Sequence, residues 1–84
     1  MLTIYSKSNC AGCIAAAHFL TSLEVSFTTI KIDEDDNAKQ FVLGRMHRSV
    51  PQIYHGDKLF VEAGWLGLMK MTKEEINTIL YGNY

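Results

Sequence analysis

Two hydrophobic rhythms alternate along this chain. Leu2 to Tyr5 is a short run of strand length, Ile14 to Leu23 carries its apolar residues at helical spacing, and Val25 to Ile32 returns to strand character through Phe27, Ile30 and Ile32. Indexed at about 100° per residue, Cys13, Ala16, Ala17, Phe19, Leu20 and Leu23 share one broad arc, with His18, Thr21 and Ser22 opposite. The pattern predicts a β-α-β opening whose helix runs from Ala11 or Gly12 to Leu23. A crossover helix makes the two strands parallel and the connection right-handed.

The second half reads in the same way. Asp33-Glu34-Asp35-Asp36 places acid at the start of a second helix, whose Ala38, Phe41, Val42 and Met46 share a face and whose last turn carries Arg45, His47 and Arg48. Acid first and base last complements a helix macrodipole; recognition of an anionic partner is the functional alternative for Arg45 and Arg48. Gln52-Ile53-Tyr54, His55-Gly56-Asp57 and Lys58-Leu59-Phe60-Val61 predict strand, turn and strand, an antiparallel hairpin. Leu66 to Met71 predicts a short helix. Thr72-Lys73-Glu74-Glu75 is a capping-box pattern opening a last helix that packs Ile76, Ile79 and Leu80 and is closed by Gly82.

Composition narrows what this succession can be. Eighty-four residues predict one domain over 1–84, burying about 60% of the surface its unfolded chain exposes. A net charge of -1 without a basic cluster argues against a nucleic-acid surface, and no apolar run approaches a membrane span. The opening Met1-Leu2-Thr3-Ile4-Tyr5 lacks the basic start and long apolar stretch of a secretory signal, so the expected compartment is a reducing cytoplasm. The expected state is a monomer.

The chain's two cysteines stand at Cys10 and Cys13, between the first strand and the first helix. A helix N-terminus offers unpaired N–H groups and a positive dipole end, which favour a thiolate. Cys10 is therefore the candidate nucleophile. Cys13, at the edge of the buried arc, would be the shielded resolving thiol of a two-step exchange. The alternatives are a stapling disulfide or half of a zinc site completed by His18, His47, His55 or a second chain. Those three histidines otherwise read as solvated. The acidic run at Asp33–Asp36 lacks the spacing of an EF-hand loop and reads as a solvated helix start. Pro51 fits the first position of a strand, where no ladder donor is needed.

Three segments, in order, carry a family resemblance. Tyr5-Ser6-Lys7-Ser8-Asn9-Cys10-Ala11-Gly12-Cys13 resembles the Y-[ST]-K-x-x-C-P-Y-C opening of glutaredoxins, Ser49-Val50-Pro51-Gln52-Ile53-Tyr54 resembles their T-V-P-Q-I-F segment, and Ala63-Gly64 falls where they have Gly-Gly. The resemblance spans nearly the full chain. It implies an α/β, thioredoxin-like fold with a four-stranded mixed sheet flanked by helices. It also implies a cis Val50-Pro51 bond beside the cysteines, exposing the Val50 backbone for strand-like pairing with a thiol peptide.

The resemblance further implies a thiol-disulfide oxidoreductase that reduces protein or glutathione mixed disulfides, with Cys10 and Cys13 catalytic. Lys7 would stabilise the thiolate or pair with a glutathione carboxylate, and is equally an ordinary solvated lysine. Val50, Pro51, Gly64 and Trp65 would line the substrate groove, with Trp65 equally placed to cover the core. Glutathione is the implied reductant and partner, disulfide-containing proteins are the other partners, and ribonucleotide reductase is one implied acceptor. No bound cofactor or metal is expected. Two departures stand out: Ala11-Gly12 replaces Pro-Tyr, and Leu66-Gly67 replaces the acidic or hydroxyl residues that receive the amino end of glutathione. These keep open two further readings, a redoxin recycled by thioredoxin reductase and an iron-sulfur cluster carrier using Cys10.

Overall fold

The computed structural model describes residues 1–81, so the predicted role of Gly82 lies outside the described residues. The elements are β1 (Leu2–Ser6), α1 (Ala11–Ser22), β2 (Phe27–Lys31), α2 (Asp36–Gly44), β3 (Gln52–His55), β4 (Lys58–Leu59), α3 (Gly64–Leu68) and α4 (Lys73–Tyr81). They build a mixed sheet in the order β2-β1-β3-β4, with β1 parallel to β2 and antiparallel to β3, and β3 antiparallel to β4. Strand alternation sorts β1 between the two faces of this sheet. Leu2 and Ile4 join Ile53 of β3, Ala16 and Leu20 of α1, Leu68 of α3 and Ile76 of α4 in one buried cluster. On the opposite face Tyr5 stacks on Phe41 of α2 at 5.2 Å between ring centroids, and Tyr54 meets both rings edge-on.

The first helix follows its predicted arc: Cys13, Ala16 and Leu20 are buried, Ala17, Phe19 and Leu23 pack against the core, and His18, Thr21 and Ser22 are exposed. It ends in a Schellman arrangement, in which Glu24 (φ 59°) donates its N–H to the Thr21 carbonyl and Val25 donates to Leu20. Val25 is thereby drawn into the helix cap and the core, not into β2, where the sequence places it.

The end of α2 differs from the expectation in the same way. Met46 adopts φ 65°, donating its N–H to Leu43 while His47 donates to Val42, so the helix stops at Gly44. Met46 is consequently 85% exposed and not on the apolar face. Arg45, His47 and Arg48 are not in the last helical turn. Arg45 caps the helix, lays its guanidinium over the Phe41 ring at 4.7 Å and donates to the Asp57 carbonyl at 2.7 Å, tying α2 to the hairpin turn. His47 is half-buried and not solvated: its Nε2 lies 2.6 Å from the Tyr54 hydroxyl.

The hairpin turns on Gly56-Asp57, with Gly56 at φ 66°. Its second strand is shorter than predicted, Lys58–Leu59; Phe60 still donates its N–H to the Ile53 carbonyl at 2.9 Å, and Phe60 and Val61 pack against the core. The short third helix starts and ends earlier than the predicted Leu66–Met71. The α4 capping box forms as the sequence predicts: Thr72 N–H donates to Glu75 Oε1 at 2.8 Å and Glu75 N–H donates to Thr72 Oγ1 at 3.1 Å. Ile76 and Leu80 pack inward, but Ile79 is 54% exposed, on the outer side of a helix only nine residues long. No helix among the described residues is long and apolar enough to cross a membrane.

Candidate active site

Opposite strand directions bring the cysteines to the Val50-Pro51 turn: Tyr5 near the end of β1 is in register with Gln52 at the start of β3, so the loop leaving one strand meets the loop entering the other. The outgoing loop, Lys7 to Asn9, is held by Asp33, whose Oδ2 accepts the Ser8 N–H at 3.2 Å. The Ser8 hydroxyl and N–H together hold the Asp33 carboxyl below its ordinary value. Asn9, at φ 59°, then turns the chain into the helix; asparagine tolerates this left-handed backbone better than most residues.

Cys10 occupies the N-cap position of α1, the place where serine or aspartate usually sits. Its Sγ accepts the N–H of Cys13 at 3.2 Å. A thiolate at this atom would receive the same N–H together with the positive end of the helix dipole, both favouring ionisation. Cys10 and Cys13 are joined in a disulfide, with 5.2 Å between their Cα atoms. The expected contrast between an exposed Cys10 and a shielded Cys13 is small in this form: the two residues are 9% and 5% exposed. In this bridged form the Val50 carbonyl oxygen lies 3.9 Å from Cys10 Sγ.

Val50-Pro51 is cis. The Gln52 side chain, itself buried, donates from Nε2 to the Ser49 carbonyl at 2.8 Å and staples this turn from below. The sequence carries one signal of this positioning role for Gln52, a polar side chain directly after a turn proline and before a buried strand. Across from Pro51 stands Gly64, at φ 54° and so close to the Pro51 carbonyl that a Cβ would collide with it. Gly12 approaches from α1, where a Cβ would stand 3.4 Å from Pro51 Cδ and 3.7 Å from Trp65 Cβ. Trp65 meets Phe19 of α1 edge-on at 5.6 Å while also facing the groove, so it covers the core and lines the site together.

Val50 forms a ridge between two grooves. The larger, of about 370 Å³, runs between Val50-Pro51 and Gly64-Trp65-Leu66. The smaller, of about 130 Å³, holds Lys7, His47 and Arg48 over an apolar floor that includes Val42. The structure thus brings Val50, Pro51, Gly64 and Trp65 together, and sets Lys7 on the far side of the ridge beside Arg48. Gly67 lines neither groove; it lets α3 pack on the Val61-Glu62 segment, since a Cβ there would meet the Glu62 carbonyl. Among the described residues, no three His, Cys, Asp or Glu side chains gather as a metal-holding group.

Known proteins agree with this geometry. The glutaredoxin family profile matches residues 2–60. A "Glutaredoxin-like protein NrdH" of Lactococcus lactis subsp. cremoris is 35% identical over 60 residues, covering 71% of this chain and 83% of the relative; the same protein of Lactococcus lactis subsp. lactis matches equally. Among solved structures, wheat glutaredoxin superposes with a TM-score of 0.72 at 22% identity, over 94% of this chain and 75% of its own. A buckwheat glutaredoxin-glutathione complex gives 0.63 at 20% identity, over 95% and 72%. The fold is thioredoxin-like, and the chain belongs to the glutaredoxin family.

Proposed function

We propose that this protein reduces disulfides of other proteins through its Cys10/Cys13 dithiol and is itself restored by a protein donor of the thioredoxin reductase type. In the forward reaction the Cys10 thiolate attacks one sulfur of the substrate disulfide, forming a mixed disulfide and releasing the first substrate thiol. Cys13 then attacks Cys10 Sγ and releases the second. Two electrons pass to the substrate, leaving the Cys10–Cys13 bond seen here. The observation that carries this reading is the N-cap placement of Cys10, whose sulfur already accepts the Cys13 N–H and faces the Val50 turn.

The choice of donor rests on the larger groove. Its wall is Trp65 and Leu66, and no carboxylate lines it. A charged amino group such as that of glutathione would lose hydration there without gaining a counter-charge. A protein surface meets such a wall more readily, and the likeness to glutaredoxin-like proteins called NrdH supports a reductive enzyme such as ribonucleotide reductase as acceptor. The test is to regenerate the oxidised protein with NADPH and either thioredoxin reductase or glutathione with glutathione reductase. Faster recovery with thioredoxin reductase is expected; faster recovery with glutathione would overturn this choice of donor.

A further inference from the structure

The two grooves flanking Val50 differ in character, and both abut the turn that touches the reactive sulfur. On one side Lys7 and Arg48 come from different loops, β1–α1 and α2–β3, onto a single groove. Neither has an ion-pair partner among the described residues, and no Asp or Glu lines either groove. On the other side the wall is apolar: Trp65 is half-buried and Leu66 is 64% exposed. An extended segment laid along Val50, with its cysteine bonded to Cys10, would therefore meet cations in one direction and apolar surface in the other.

Resting on the dithiol reading above, we infer that this site selects protein disulfides by side-chain order: an acidic residue on one side of the reactive cysteine, seated by Arg48 and Lys7, and an apolar residue on the other, seated by Leu66 and Trp65. Charge complementarity fixes the occupant as an acidic peptide segment. The two cations give the groove a field that nothing in its lining offsets, and the ridge between the grooves places that field next to the sulfur. Arg48 is then a specificity residue, one that ranks substrates without taking part in exchange. The bond changes are those already given, the peptide disulfide becoming two thiols as the enzyme dithiol becomes a disulfide.

The test uses blocked peptides whose single cysteine is joined by a disulfide to an uncharged small thiol, flanked by Asp and Leu in either order, with Lys-for-Asp and Ser-for-Leu counterparts. Pre-reduced protein is mixed with each peptide, and the rate is divided by that with an uncharged dithiol to remove intrinsic reactivity. The faster Asp/Leu order should exceed its Lys counterpart by about three- to fivefold at low salt, with the ratio falling as salt is added. Arg48→Gln should shrink that ratio and Arg48→Glu should invert it, an inversion that a structural role for Arg48 would not produce. Leu66→Ser should abolish the preference for Leu over Ser. Equal rates for Asp and Lys peptides, or a preference unchanged in Arg48→Glu, would overturn the inference. So would an Arg48→Glu effect confined to a glutathionylated peptide, which would assign the cations to glutathione. If the wild-type protein reduces none of these peptides, the dithiol reading itself fails.

Discussion

Gly64 and Pro51 touch across the groove with no space for a side chain between them: a Cβ on Gly64 would run into the Pro51 carbonyl. The backbone of Gly64 is also left-handed, at φ 54°. Gly64→Ala should therefore cost about 2–4 kcal/mol from combined overlap and backbone strain. Urea unfolding measures the loss, and the rate of disulfide reduction should fall with it because the wall holding Trp65 moves. Wild-type stability in this variant would show that the contact relaxes freely.

Cys10 caps the helix and, in the proposed exchange, is also the nucleophile; the two duties can be separated. In a Cys13→Ser background, where no disulfide forms, Cys10→Ser keeps a capping oxygen and Cys10→Ala does not. The alanine variant should be less stable than the serine variant by about 1 kcal/mol, while both should lose disulfide reduction. Cys13→Ser alone should accumulate a mixed disulfide on Cys10, visible as added mass. Activity retained in Cys10→Ser would remove Cys10 as the nucleophile.

Met46 takes the left-handed position at the end of α2 while 85% exposed. Glycine suits that backbone, and almost no packing is lost by removing the side chain. Met46→Gly should stabilise the protein by about 0.5–1 kcal/mol, the strain relieved exceeding the added freedom of the unfolded chain. A lower urea midpoint in this variant would contradict the assignment.

Asp33 couples the active-site loop to pH. Hydrogen bonds from Ser8 hold its carboxyl below the ordinary value of 3.8, with nearby Lys31 adding to the effect. A lowered value means the folded state favours the charged form, so the stabilisation is complete above the ordinary carboxylate range and disappears as pH falls through the lowered value. Asp33→Asn should be less stable than wild type at neutral pH, and the two should converge on acidification below 3.8. Urea titrations between neutral and strongly acid pH measure this; an offset independent of pH would sink it.

Leu66 is predicted to set the balance between donors. Leu66→Asp supplies the missing negative charge on the groove wall, and should raise recovery with glutathione relative to thioredoxin reductase by up to about fivefold, the scale of one exposed ion pair. An unchanged ratio would show that the groove wall does not choose the donor.

Where local physics and tertiary packing agree, the sequence reads well. The α1 arc, the Gly56-Asp57 turn and the Thr72–Glu75 box each depend on residues near one another in the chain, and each is found where the pattern puts it. The misreadings share one cause. Met46 and Ile79 are apolar at helical spacing, yet α2 stops before the first, and the second is 54% exposed on α4, facts that spacing does not contain. Likewise the cis Val50-Pro51 bond came only through family resemblance, because propensity alone favours trans. The cysteine pair was legible because its chemistry is local. The meeting of Lys7 with Arg48, the Gln52 staple and the close approach behind Gly67 are products of the fold, joining segments that have no relation in the sequence.

The register of β1 with β3 joins parts of the site that lie far apart along the chain. Residues 10–13 hold the reacting atoms, while the surfaces around them arrive from residues 48–52 and 63–66. During synthesis the two cysteines therefore exist before the Val50-Pro51 turn and the Trp65 wall that flank them in the folded chain. The reacting pair is complete within four residues; its surroundings need the folded chain.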